Sequence, residues 1–163
     1  MKLGKKGFTL VELMIVIAIL GIMFVMGPQI FVQANRFLMM NQAKIEIQRE
    51  ARSVLSLFNR NLRQAYASTI TIDSAGGQPP YSRISFQTID GLTYTFYQSG
   101  SQLVMATSNT TKILTDKVKY ISFAPPSSVD LTIISISLTL EKAIGETKTK
   151  SLHMASEKVM VMN

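Results

Sequence analysis

Cysteine is absent from this 163-residue chain, and histidine occurs once, at His153. Without cysteine there is no disulfide framework, no thiol nucleophile and no cysteine–histidine spacing that would hold zinc. His153, between Leu152 and Met154 in a strand-like stretch, reads as an ordinary strand histidine. The many serines and threonines lack a second base, so they read as strand faces and turns rather than nucleophiles. Carboxylates are few, ten against seventeen Lys and Arg. Asp116, Asp130, Glu141 and Glu146 are scattered, unlike the dense Asp/Asn/Gly pattern of a calcium loop. Internal repeats are lacking, and low complexity is confined to short polar loops. These absences leave no catalytic constellation, so no enzymatic activity, cofactor or metal is expected.

Polar residues are scarcest near the N-terminus. Over residues 8–32 the only clearly polar side chains are Thr9, Glu12 and Gln29. About 20 apolar residues at a rise of roughly 1.5 Å cross a hydrocarbon core, so this run predicts a membrane-spanning helix. Lys2, Lys5 and Lys6 precede it and no lysine lies within it, which places the N-terminus on the cytoplasmic side. These lysines also account for part of the net charge of +7, and basicity therefore argues less for nucleic acid than its value suggests. Glu12 is the anomaly. A carboxylate at the centre of a spanning helix costs about 2.5–3.5 kcal/mol, and such residues are usually paired and functional.

Three readings account for this N-terminus to different degrees. A cleaved secretory signal would use Val32-Gln33-Ala34 as its small-residue site. The apolar run is too long for that, and signal h-regions carry no glutamate. A plain signal anchor explains length and orientation and leaves Glu12 without a role. The third reading uses Lys5-Lys6-Gly7-Phe8-Thr9-Leu10-Val11-Glu12-Leu13 as a unit. This stretch resembles the processing site of type IV pilins and type II secretion pseudopilins.

That resemblance implies cleavage after Gly7 by a membrane aspartyl (prepilin) peptidase, with methylation of the new amino terminus on Phe8. Glu12 becomes the fifth mature residue, where this family places its glutamate. In an assembling filament it would meet the N-terminal amine of a neighbouring subunit. Opposite charges attract more strongly at low dielectric, and an unpaired buried carboxylate is costly, so the charge favours a correctly stepped neighbour. The implied partners are other pilin or pseudopilin subunits, the peptidase, the bacterial inner membrane and its assembly platform. Some pseudopilins bind calcium, and a loop around Glu141 and Glu146 is where such a site would fall.

Gly27-Pro28 predicts a kink or local loosening late in the apolar run, at Pro28. Pilins commonly carry a proline in this part of the helix, here about one residue early. Beyond the membrane, Ile47, Ala51, Val54, Leu55, Phe58, Leu62, Ala65 and Tyr66 recur at offsets of three and four, marking one apolar helix face. At about 100° per residue, Arg49, Arg52, Arg60 and Arg63 fall within about 80° of one another on the opposite side. They read as a solvated face or as a basic stripe meeting acidic neighbours or a DNA backbone. No aromatic residues interleave with them, so a base-stacking groove is not supported.

After Tyr66 the pattern becomes short alternating segments. Gly76-Gly77-Gln78-Pro79-Pro80 is a loop, and Asp90-Gly91 and Ser99-Gly100 are turns. Strands are expected at Ser68 to Ile72, around Ile84 and Phe86, at Leu92, Tyr94 and Phe96, and at Leu103 to Ala106. More follow at Ile113-Leu114 and at Val118 to Phe123, before Pro125-Pro126. Ile134, Ile136, Leu138 and Leu140 form the clearest, and after a loop at Gly145 the last ends in Val159 and Val161. The expected architecture is α+β: one helix from residue 8 to about 67, packed on an antiparallel β-sheet domain. The segments are residues 1–7 as a cleaved leader, 8–32 as the transmembrane helix, 33–67 as its amphipathic continuation and 68–163 as the β-rich, pilin-like domain.

The arginine-rich helix end near Arg63-Gln64-Ala65, and Val118 to Phe123 with the strand pair after it, are similar to J-type minor pseudopilins and W-type minor pilins. K-type tip subunits typically lack the glutamate at Glu12, and many major pilins close a C-terminal loop with a disulfide this chain cannot form. The expectation is a non-enzymatic minor subunit that primes or caps a pilus or pseudopilus. It would be single-pass in the inner membrane, with its C-terminal domain periplasmic or extracellular. The alternatives are a DNA-uptake pilin using the arginine stripe, and a secreted binding domain released near Ala34.

Overall fold

The structure is a computed structural model describing residues 7–125, 132–144 and 150–161. Lys2, Lys5, Lys6, Pro126, Asp130, Gly145 and Glu146 lie outside the described residues. The chain divides into two compact units, Met1–Met40 and Asn41–Asn163, and helix α1 (Leu10–Leu62) contributes to both. Eight strands follow: β1 (Thr71–Asp73), β2 (Arg83–Gln87), β3 (Thr93–Ser99), β4 (Gln102–Thr107), β5 (Thr111–Thr115), β6 (Val118–Ala124), β7 (Ile133–Ala143) and β8 (Lys150–Met160). The α+β plan expected from the sequence is therefore present.

In the first unit, α1 is apolar on every side between Leu13 and Pro28, and the side chains from Leu10 to Met40 are exposed. Its isoleucines and valines are only moderate helix formers in water. In lipid the backbone must satisfy its own hydrogen bonds, which makes a helix the available form for a single segment. The helix is long and apolar enough to cross a membrane. It fits a single-pass membrane anchor.

In the second unit α1 is two-faced. Ala43, Ile47, Ala51, Val54, Leu55, Phe58 and Leu62 are buried along one side. Phe58 joins three rings at once, with centroid distances of 4.9 Å to Phe96, 5.3 Å to Phe123 and 6.3 Å to Phe86. Each such ring pair adds about 0.5–1.5 kcal/mol beyond area burial.

The helix ends at Leu62, about five residues before the expected end near 67. The backbone after it is drawn into strand pairing. Tyr66 N–H donates to the Gln87 carbonyl at 2.9 Å, Ile89 N–H donates to the Gln64 carbonyl at 3.0 Å, and Ala65 bridges Thr88. These sheet bonds replace helical ones. Ser68 and Thr69 then fall in a 3-10 turn, Ala67–Thr69, instead of a strand.

The strands form two antiparallel sheets rather than one continuous meander. β1 to β5 pair in sequence order, and β6, β7 and β8 make the second sheet. Gly91 and Gly100 turn the first sheet with φ of 75° and 60°, where an L side chain is strained. Leu92 lies ahead of β3 and is exposed. In β7, Ile134, Ile136, Leu138 and Leu140 are all buried while Ser135, Ser137 and Thr139 alternate with them.

The two sheets are joined through a buried glutamine. Gln98 Oε1 accepts the Ile121 N–H at 3.1 Å, and its Nε2 donates to the carbonyls of Gly100 at 2.9 Å and Lys119 at 3.3 Å. Val118 N–H also donates to the Ser101 carbonyl at 2.8 Å. Burying these groups unpaired would be costly, so the amide takes the place of a strand neighbour.

Candidate functional site

The expected functional residues fall into two groups, one in each unit. In the first, Gly7 and Phe8 are exposed and precede the helix, which begins at Leu10. Thr9 caps it: its Oγ1 accepts the Glu12 N–H at 3.3 Å, and its carbonyl accepts the Leu13 N–H at 3.2 Å. Sequence reasoning missed this cap. The signal was present as Thr9-x-x-Glu12, the spacing of a capping box.

The cap changes the physical setting of Glu12. This carboxylate sits in the first turn of α1, near the end of the apolar run rather than at its centre. Unpaired N–H groups and the helix dipole favour a negative charge there. Glu12 is exposed, and among the described residues no ion pair holds it. Its oxygens are therefore available to a group from another chain.

Pro28 lies inside the helix, which runs unbroken on both sides of it. Its ring nitrogen carries no hydrogen, so the Phe24 carbonyl lacks its usual intrahelical donor. Ala34, the alternative cleavage position, is an interior residue of the same helix.

The second group lies on the part of α1 that packs in the domain and, for Arg63, in the turn just after it. Arg49, Arg52, Arg60 and Arg63 are all exposed, opposite the buried stripe. None forms an ion pair among the described residues. Arg60 and Arg63, with Ser56, Asn59 and Gln64, line an open cavity of about 360 Å³.

The helix carboxylates behave differently, and no local pattern announces their partners. Lys117, at the break between the sheets, donates to Glu46 at 2.8 Å and also to Glu50. Lys142 of β7 pairs with the other Glu46 oxygen, and Thr115 Oγ1 donates to Glu50 at 3.0 Å. The Lys117 and Lys142 hydrogen bonds hold the Glu46 carboxyl down to about 2. Glu46 and Glu50 in turn push the Lys117 ammonium upward. Glu46 and Glu50 therefore tie the helix to both sheets, while the arginines face away from the core.

Glu141, one half of the calcium-loop expectation, is engaged by Lys150 at 2.9 Å and Lys119 at 3.7 Å. The Lys150 hydrogen bond holds its carboxyl below the usual range. Among the described residues no cluster of three or more acidic, histidine or cysteine side chains could hold a metal. His153 lies in β8 opposite Leu140.

The fold and these placements define a class: an α+β domain whose own helix carries an apolar, membrane-length segment. Residues 2–27 match the prokaryotic N-terminal methylation motif, which is typical of type IV pilins and pseudopilins. No curated protein and no solved structure matches the chain.

Proposed function

We propose that this chain is a non-enzymatic minor subunit of a type IV pilus or type II secretion pseudopilus. It is anchored in the inner membrane with its N-terminus cytoplasmic, cut after Gly7 by the prepilin peptidase and N-methylated on Phe8. The helix then enters an assembly with Glu12 beside the N-terminal amine of a neighbour. One observation carries this reading: Gly7, Phe8 and Glu12, which has no ion pair among the described residues, stand in register at the head of a membrane-length helix, inside the methylation motif. The arginine-rich helix end and the β6–β7–β8 sheet support a minor subunit of the J or W type.

Intact-mass measurement of the membrane-extracted protein tests the processing step. The expected chain begins at Phe8 and carries one methyl group. A chain beginning at Met1 or at Asn35 overturns the proposal. Glu12→Val should leave membrane insertion intact and impair incorporation into filaments. Pull-down with co-expressed pilin-like subunits identifies which assembly takes it up.

A further inference from the structure

We infer that the outer edge of β8 is a docking site for an extended segment of a different protein, added antiparallel as a fourth strand of the second sheet. The Val161 N–H donates to the Thr132 carbonyl at 2.7 Å, one step beyond the Ile133–Met160 pair of the β7–β8 register. Bonding alternates along an antiparallel ladder, so the odd-numbered residues of β8 turn their N–H and C=O groups to β7. Lys150, Leu152, Met154, Ser156, Lys158 and Met160 turn theirs the other way. The Glu141 N–H fits this alternation: it points to the far side of β7 and donates to the Lys117 carbonyl at 2.8 Å. β8 ends the strand order β6-β7-β8, and among the described residues no strand lies beyond it.

The other sheet edges are short or occupied. β1 has three residues and β5 has five. β6 is taken up by bonds to Tyr81, Gln98 and Ser101. β8 instead keeps register with β7 over 11 residues without a bulge, about 36 Å at roughly 3.3 Å per residue. It contains no proline, and its lysines stand toward its two ends. Chains protect their edges by shortening, bulging or charging them. A long regular edge left without those devices is a template for a backbone of matching form.

The side chains of this row define what the added segment carries. Leu152, Met154 and Met160 are 56%, 73% and 65% exposed, and apolar side chains laid beside them would be removed from water together with them. Lys150 is held by Glu141 at 2.9 Å, whereas Lys158 has no ion pair among the described residues. The segment therefore places apolar residues against Leu152 and Met154 and a carboxylate against Lys158. Paired antiparallel with itself, β8 would meet the same row, which holds two lysines and no carboxylate.

The test uses the full chain in nanodiscs of zwitterionic lipid. The probe is a capped synthetic peptide as long as β8, with valines against Leu152 and Met154, a glutamate against Lys158 and threonines elsewhere. One version is N-methylated at the alternate residues whose N–H groups face β8, and another at the residues between them. The unmethylated peptide should bind and should protect the Leu152, Met154 and Ser156 amides from hydrogen exchange. The first methylation should weaken binding about tenfold or more, and the second should leave it within about twofold. Ser156→Pro removes an outward donor that β7 does not use, and should weaken binding about tenfold. Met154→Lys, which charges the edge, gives the same reading if Ser156→Pro fails to fold. No binding, equal effects of the two methylation patterns, or binding that leaves those amides unprotected overturns the inference. So does a dimer of the detergent-solubilised chain that Ser156→Pro dissolves, because a second copy then fills the edge. None of these readouts depends on cleavage after Gly7, so failure here and failure of the intact-mass test are separate results.

Discussion

The two parts of α1 are chemically continuous as backbone and opposite as surfaces. From Leu10 to Met40 the side chains are exposed and largely apolar. From Asn41 onward the same helix buries a narrow apolar stripe and exposes arginines. The first part must therefore find its apolar environment in lipid or in other helices, while the second finds it in its own sheets. Helix formation in the first is enforced by the medium, and in the second by an amphipathic face meeting a core.

The largest break in this contrast should come from Phe58→Ala. It removes a ring that touches residues of both sheets and should destabilise the domain by about 3–5 kcal/mol in denaturant unfolding. Membrane insertion should be unchanged. Conversely, Ile19→Arg should cost insertion about 2.5–3.5 kcal/mol in a glycosylation-mapping assay and leave domain unfolding unaltered. An effect of either substitution on the other region would contradict the division.

Gln98→Leu sharpens the comparison within the domain. It leaves the Ile121 N–H and the Gly100 and Lys119 carbonyls without the amide, and should cost about 1–3 kcal/mol of domain stability. The smallest effect concerns pH. Glu46 is held at about 2, below its ordinary 4.5, so its stabilising contribution is present above about 4.5 and is lost as pH falls from there through about 2. Thermal melts across this range should show domain stability declining, and Lys117→Met should flatten the Glu46 part of the profile. An unchanged profile in that variant would remove Lys117 as the cause.

Much of this protein was legible in its sequence because the signals are local. The membrane-length run, the register of Gly7, Phe8 and Glu12, the 3.6-residue stripe from Ile47 to Leu62 and the alternation in β7 each depend only on near neighbours. The Thr9 cap was equally local and was overlooked because Glu12 was read as a charge rather than as part of a helix start.

Other features required the folded chain. The early end of α1 depends on Gln64 and Tyr66 meeting Ile89 and Gln87, which no local pattern announces. The join between the two sheets depends on Gln98 reaching Ile121, 23 residues away. The distinction between paired glutamates and arginines without an ion pair among the described residues arises from Lys117 and Lys142, which arrive from distant parts of the chain. Sequence alone determined where this chain is apolar, where the methylation motif falls and which helix face is basic, because those properties are covalent order and periodicity. Only the tertiary structure decided which charges are paired within the domain, because pairing across 67 to 96 residues is settled by packing.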